Sequence, residues 1–374
     1  MRISDQGSIN RGRPGTRRAF STFPAVIPLA DGSLLASYRV GSGKDSVDGT
    51  VELRRSEDGG NSWGAPESPF ATTLNGLDGS LRVGYITDLG NGRLLLAAMW
   101  VDRQTFPGQP LFNEETEGCL PMEVVLADSH DLGRTWSGWR PVPVPADVGP
   151  PSLTNPVLVL PSGRLALSIE TNKTYEDRGR WLQRVVYLYS EDRGRTWGDP
   201  VTTCQDPAGR IFNWDQRACV CPDGRLATFT WTYDRQTTRY LNIRRRLSSD
   251  EGTTWSAPED LGFADQAAHP AILPDGRVVL AWVDRFGSRS IRARLATAAD
   301  APFDAATEVE LYRQAAGGPQ TAAGKGDTGE LLAEMGLWSF GLPFAAALPD
   351  GGVMVVYYAG DDSCMEVRRA RLSL

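Results

Sequence analysis

The stretch SEDRGRTW at 190–197 recurs with small changes as SEDGGNSW at 56–63, SHDLGRTW at 129–136 and SSDEGTTW at 248–255. All four fit Ser-x-Asp-x-Gly-x-Ser/Thr-Trp, so the chain is built from a repeated unit. Each residue type in the pattern has a mechanical task. An Asp carboxylate accepts backbone N–H groups inside a tight turn, Gly supplies a positive φ, and Trp packs beside its neighbour. The pattern is a structural hairpin brace.

A second repeat sets the number of units. A turn followed by an apolar run occurs six times: DGSLLASY from Asp31, NGRLLLAAMW from Asn91, SGRLALSIE from Ser162, DGRLATFTW from Asp223, DGRVVLAWV from Asp275 and DGGVMVVYY from Asp350. Asp-Gly and Asn-Gly turns between β-rich runs are hairpin signals, and their spacing of 52 to 75 residues suits four-stranded units with variable loops. The last two units lack the brace, and the segment 1–10 is expected to supply the outer strand that closes the ring.

The brace matches the Asp-box, or BNR repeat, and on these residues the chain resembles the sialidase superfamily. The resemblance implies an all-β fold, a six-bladed β-propeller with four-stranded antiparallel blades, in which the boxes lie away from the active site. Because the repeat runs from end to end, one domain over 1–374 is expected, with 315–329 as a long loop inside it.

The formal net charge of -7 argues against nucleic acid or an anionic membrane as the main partner. An anionic ligand then needs local arginines. There is no apolar run of membrane-spanning length and no signal-peptide core near the start, so a cytoplasmic protein is expected, with a trimmed secretion signal as the alternative. The five cysteines lack zinc-like pairing and read as buried free thiols. No metal, phosphate or dinucleotide motif is present, so no cofactor is expected.

In a propeller, function belongs where loops converge on the axis, on the face opposite the Asp-Gly turns. Turn-to-brace distances are 24, 37, 27 and 24 residues in the first four units, which locates an insertion in the second, VDRQTFPGQPLFNEETEGC. It is either a wall that shapes a substrate site or a long solvated loop.

The sialidase resemblance implies a Tyr nucleophile assisted by Glu, an Asp acid/base on the first blade, and three arginines on the substrate carboxylate. Asp45, then Asp48, match the acid/base loop. Glu170 ends an apolar strand and enters a polar loop, as a carboxylate aimed at the axis would. Asp215 stands near the expected Glu, and Tyr358 lies on a strand that alternation can point inward. Arg39, Arg82, Arg103, Arg235 and Arg285 fall on the expected face, with Trp214, Trp231 and Trp338 as sugar platforms and His269 near the axis. The Asp-Arg pairs at 102–103, 234–235 and 284–285 read as ligand clamps or as mutually neutralising strand ends.

The chain also departs from the family. Thr22-Phe23-Pro24 stands where Arg-Ile-Pro is expected, Trp231 near an expected Arg, and Phe340 near the expected Tyr. The leading expectation is an exo-glycosidase for a terminal, possibly acidic, sugar, with carbohydrate as partner and oligomeric state open. The alternatives are a non-catalytic glycan-binding propeller and a sugar lyase.

Overall fold

The computed structural model describes residues 1–315 and 328–374. Apolar runs bounded by the six turns form the second strands: Leu34–Gly41, Leu94–Asp102, Leu165–Glu170, Leu226–Asp234, Val278–Asp284 and Val353–Gly360. They are almost wholly buried because both of their faces are covered. Each pairs antiparallel with a first strand before its turn and a third strand after it. Six such units form the blades of a propeller, numbered here from the N-terminus.

The sixth blade is completed by the start of the chain. Arg2–Asn10 pairs antiparallel with Met365–Ser373, as the sequence predicts. Phe20 of the first blade also meets Met365 in a parallel bridge, which joins blades one and six. No helix among the described residues is long and apolar enough to cross a membrane.

The four brace turns share one hydrogen-bond pattern. In the third blade Ser190 Oγ donates to Asp192 Oδ1 at 2.8 Å and accepts from Gly194 N–H at 2.8 Å, while Asp192 accepts from Thr196 N–H at 2.8 Å. Gly194 has φ of 82°, a conformation costly for any side chain. The Trp rings reach neighbouring blades: Trp255 packs edge-on against Tyr187 at 5.9 Å.

What positions the site is a break in every first strand. Blades one, two, four and six carry register shifts at Thr22/Ala25, Leu81/Gly84, Trp214/Arg217 and Gly341/Phe344. In blades three and five the strand is divided into two short pieces. Residues displaced by such bulges re-aim their side chains. Phe23, Asp215 and Leu342 sit in these breaks with φ of 52°, 46° and 41°.

Of the expected loop 315–329, residues 316–327 lie outside the described residues, while 328 and 329 open helix α1 (Thr328–Met335). Leu331 and Leu332 of α1 bury against Trp181, Trp214, Trp231 and Trp338, which explains a helix in a chain otherwise patterned for strands.

Candidate active site

The strand breaks open onto a cavity of about 110 Å³ on the axis. Its lining includes Glu170, Asp215, Arg82, Arg217, Lys44 and Tyr358, with Phe23, Phe112, Trp214, Trp231 and Leu342 as apolar walls. Helix α1 roofs it with Leu332 and Met335. A different cavity of about 320 Å³ opens at the rear, with apolar residues from the first strands of all six blades.

The floor between the two cavities is a column of rings and a guanidinium. The Arg217 guanidinium lies 5.8 Å from the Tyr85 ring, Tyr85 stacks on Phe344 at 6.2 Å, and Phe344 stacks on His269 at 4.1 Å. His269 therefore faces the rear cavity, a correction to its expected place at the substrate site. Burial, with Arg217 nearby, pushes its pKa down to about 3, so its imidazole is neutral and unfit as a proton donor.

The two carboxyl groups of the front cavity are held differently. Glu170 is buried and accepts the Gln216 backbone N–H at 3.1 Å. Burial and the adjacent Asp215 raise its pKa to about 8, so it carries a proton at neutral pH. Asp215 is countered by Arg217 at 3.4 Å and accepts from Gln266 Nε2 at 2.7 Å. A proton-loaded carboxyl beside a charge-compensated carboxylate is the pairing that glycoside cleavage uses.

Asp45 is held in the opposite sense to Glu170. Its Oδ1 accepts from Arg82 at 2.5 Å and Arg103 at 3.2 Å. Burial alone would raise its pKa, but Arg82, Arg103 and Arg39 outweigh burial and lower it. Asp45 lies beside the front cavity rather than in it, on a neighbouring compartment that also includes Lys44 and Arg82.

The structure brings together Glu170, Asp215, Tyr358, Arg82, Trp214 and Trp231 from the sequence expectations. Others are corrected. Asp48 braces its own turn by accepting from Ser42 N–H at 3.1 Å. Arg39 is fully buried under the same loop, donating to Gly43 O at 2.8 Å and Ser46 O at 2.7 Å. Arg103 reaches Ser80 Oγ as well as Asp45, and Arg235 pairs with Glu117 at 2.6 Å, tying the fourth blade to the insertion. Arg285 donates to Phe340 O at 3.0 Å and lies 3.9 Å from the Trp338 ring, so both support the wall from behind.

The Asp-Arg pairs are neither clamps nor self-neutralising. Asp102, Asp234 and Asp284 each accept backbone N–H groups of their own turn, at 2.7, 2.9 and 2.9 Å, while the arginines bond elsewhere. Sequence reasoning missed Lys44, Arg217 and Gln266. Arg217 follows a strand break that no local pattern announces. For Lys44 the one signal in the sequence is rarity, since Lys44, Lys173 and Lys325 are the only lysines among 39 basic residues.

No protein-family profile matches the chain. A sialidase from Micromonospora viridifaciens is 28% identical over 189 residues, 46% of this chain and 28% of that protein. The chain thus spans well under two thirds of that relative. Among solved structures, a Dyadobacter fermentans protein of unknown function superposes with a TM-score of 0.75 at 20% identity, covering 100% of this chain and 99% of that one. Sialidases recur among the matches. The chain has the sialidase-type six-bladed propeller fold. A Penicillium chrysogenum alpha-L-arabinanase complexed with arabinobiose shares this architecture at TM-score 0.68, 16% identity and coverage of 100% and 99%.

Within the sialidase-type propeller, this chain diverges at the axis. The break in blade one presents Phe23 where an Arg is expected. In blade six it presents Leu342, not Phe340, in the region expected to offer a Tyr. Phe340 packs in the core instead.

Proposed function

We propose that the protein is a glycoside hydrolase that takes a single terminal sugar into the front cavity. Glu170 is the general acid: it donates its proton to the glycosidic oxygen as the bond to the anomeric carbon breaks. Asp215 is the second carboxylate, acting on the anomeric carbon or on the water that attacks it. Trp214, Trp231 and Phe23 exclude water and pack on the sugar ring. Lys44 also lines the cavity, but burial, with Arg285 and Arg82 nearby, lowers its pKa well below the ordinary lysine value, and it already donates to Met335 O and Trp338 O, so it offers the sugar a hydrogen-bond donor rather than a fixed charge.

The observation that carries this reading is the raised pKa of Glu170, buried beside the Arg217-paired Asp215 in one cavity on the axis. The test is release of 4-methylumbelliferone from a panel of uronides, neutral sugars and the N-acetylneuraminic acid conjugate. Turnover by wild type, lost in both Glu170→Gln and Asp215→Asn, is expected. Turnover that survives both substitutions refutes the assignment.

The presence of Phe23 and Leu342 in place of an arginine and a tyrosine supports a second reading, a propeller that binds a glycan without cleaving it. Glycan-array binding with no turnover across the panel selects that reading.

A further inference from the structure

We propose that Gln266 is a positioning residue which, together with Arg285, fixes the Asp215 carboxylate for its task at the anomeric carbon. This rests on the reading of the front cavity as a glycoside site. Gln266 stands in the divided first strand of blade five, where Gln266 and Ala267 pair with Val283 and Trp282. That break and the one in blade four meet side chain to side chain, Gln266 on Asp215. Gln266 is buried and lines the front cavity.

The amide is held from both ends. Its Nε2 donates to Asp215 Oδ2 at 2.7 Å, and its Oε1 accepts from Arg285 Nη2 at 3.2 Å. An amide has one donating and one accepting end, whereas a guanidinium only donates and an ionised carboxylate only accepts. The reversed amide would set N–H groups against the guanidinium and an oxygen against the carboxylate. Arg285 therefore selects the one orientation in which Gln266 presents a donor to Asp215. Arg285 is itself firmly held. It is buried, its Nη2 also donates to Phe340 O at 3.0 Å, its backbone N–H donates to Asp265 Oδ2 at 3.1 Å, and its guanidinium lies 3.9 Å from the Trp338 ring.

The consequence falls on Asp215. Arg217 Nη2 donates to its Oδ1 at 3.4 Å and Gln266 to its Oδ2, so each oxygen has one fixed donor. A carboxylate oxygen has two lone pairs, and one on each oxygen remains for the substrate. With a donor on one oxygen only, the carboxylate could turn about its terminal torsion, which is broad for Asp. Two donors from different blades remove that freedom before a substrate arrives.

The experiment measures kcat and KM against pH for the best substrate of the glycoside panel, in wild type, Gln266→Leu and Gln266→Glu. A hydrogen bond to a carboxylate favours its ionised form, and the acidic limb of kcat/KM reports the carboxylate that must be ionised to act. Gln266→Leu removes the donor, so that limb should move about one unit to higher pH, with kcat lowered and KM little changed. Gln266→Glu keeps the shape and the bond to Arg285 but sets an acceptor against Asp215, so its limb should move at least as far in the same direction. Glu170, Arg217, Arg285 and Tyr358 also face Asp215, and both variants leave them in place. A sugar-binding role for Gln266 would raise KM without moving the limb. An unmoved limb in both variants, whether KM rises or not, overturns the proposal. No turnover by wild type on any substrate refutes the reading of the front cavity instead. Crystal structures of wild type and the two variants then decide the positioning role: an Asp215 carboxylate turned from its wild-type direction supports it, and an unmoved one overturns it.

Discussion

Asp45 Oδ1 accepts a hydrogen bond from Arg82 Nη1 at 2.5 Å. That contact separates the carboxyl groups around the axis by task. Held by Arg82 and again by Arg103, Asp45 stays ionised and has no proton to give. Glu170, buried beside Asp215 and served by one backbone N–H, keeps its proton to about pH 8. Carboxyl groups in one region are thus driven apart by their partners rather than by their chemistry.

Glu170→Gln removes the proton donor, and a fall in kcat/KM of about 10²- to 10⁴-fold is expected. In wild type the alkaline limb of the pH profile should lie near 8, because the acid loses its proton there. The same raised pKa makes its contribution to stability full below the unfolded value of 4.5 and lost as pH rises through about 8. Glu170→Gln should therefore unfold at a higher temperature than wild type at pH 9, with no such gain at pH 4. Steady-state kinetics and thermal melts across that range check both statements.

Asp45→Asn tests the opposite assignment. Loss of the charge leaves Arg82 and Arg103 facing a neutral amide, and the fold should lose about 2 kcal/mol, as for a hydrogen bond to a charged group. The alkaline limb should remain near 8, since Glu170 is unchanged. The lowered pKa of Asp45 gives stability that is present above 3.8 and lost as pH falls through its folded value, so this variant should be less acid-sensitive than wild type. Urea midpoints at pH 3.5 and pH 7 measure the difference. An alkaline limb that disappears in Asp45→Asn would transfer the acid role to this residue.

The fold was legible because its signals are local. The Asp192 brace and the turn at Asp223-Gly224 need only neighbours in sequence, and the closing strand Arg2–Asn10 follows from the unit count. The candidate site was legible in part. Glu170 was found because an acidic residue ends an apolar strand. His269 was misplaced because the break at 268–270 turns the chain toward the rear cavity. Arg39 and Arg235 fall in the right loops, but their guanidinium groups are consumed by Gly43, Ser46 and Glu117, partners set by tertiary contacts. Leu342 rather than Phe340 faces the cavity because a bulge adds a residue to one strand, which reverses the inward and outward alternation.

Ser190→Ala tests the brace apart from the site. The Ser190 hydroxyl is buried and accepts from Gly194 N–H, which loses its partner in the variant. A loss of about 1 to 3 kcal/mol is expected, with kcat/KM at 25 °C unchanged because the turn lies away from the front cavity. Chemical denaturation and kinetics on the same sample separate the two effects.

His269→Gln reports on the floor. A group neutral in the fold down to about pH 3, and protonated in the unfolded chain from about 6.5, gives stability that is present above 6.5 and lost as pH falls toward 3. Wild type should thus weaken on acidification over that window. The variant should be less stable at pH 7, having lost the stack on Phe344, yet show a shallower acid slope. An identical slope in both proteins would show that other groups set the acid sensitivity.

Tyr358→Phe decides between carboxylate and phenol chemistry at the axis. Burial raises the Tyr358 pKa to about 12, against the opposing pull of Arg285 and Arg82, so its phenol is held protonated and is a poor nucleophile. Gln216 belongs to the strand break that brings Asp215 to Glu170, and Asp215 is paired with Arg217 at 3.4 Å. Activity in Tyr358→Phe should therefore stay within about tenfold of wild type, while Asp215→Asn should lose at least as much as Glu170→Gln, by the scale of a lost acid or base. If Tyr358→Phe instead abolishes turnover and Asp215→Asn retains it, the tyrosine forms the bond to the sugar, and Arg285 and Arg82 are the groups that make its ionisation possible.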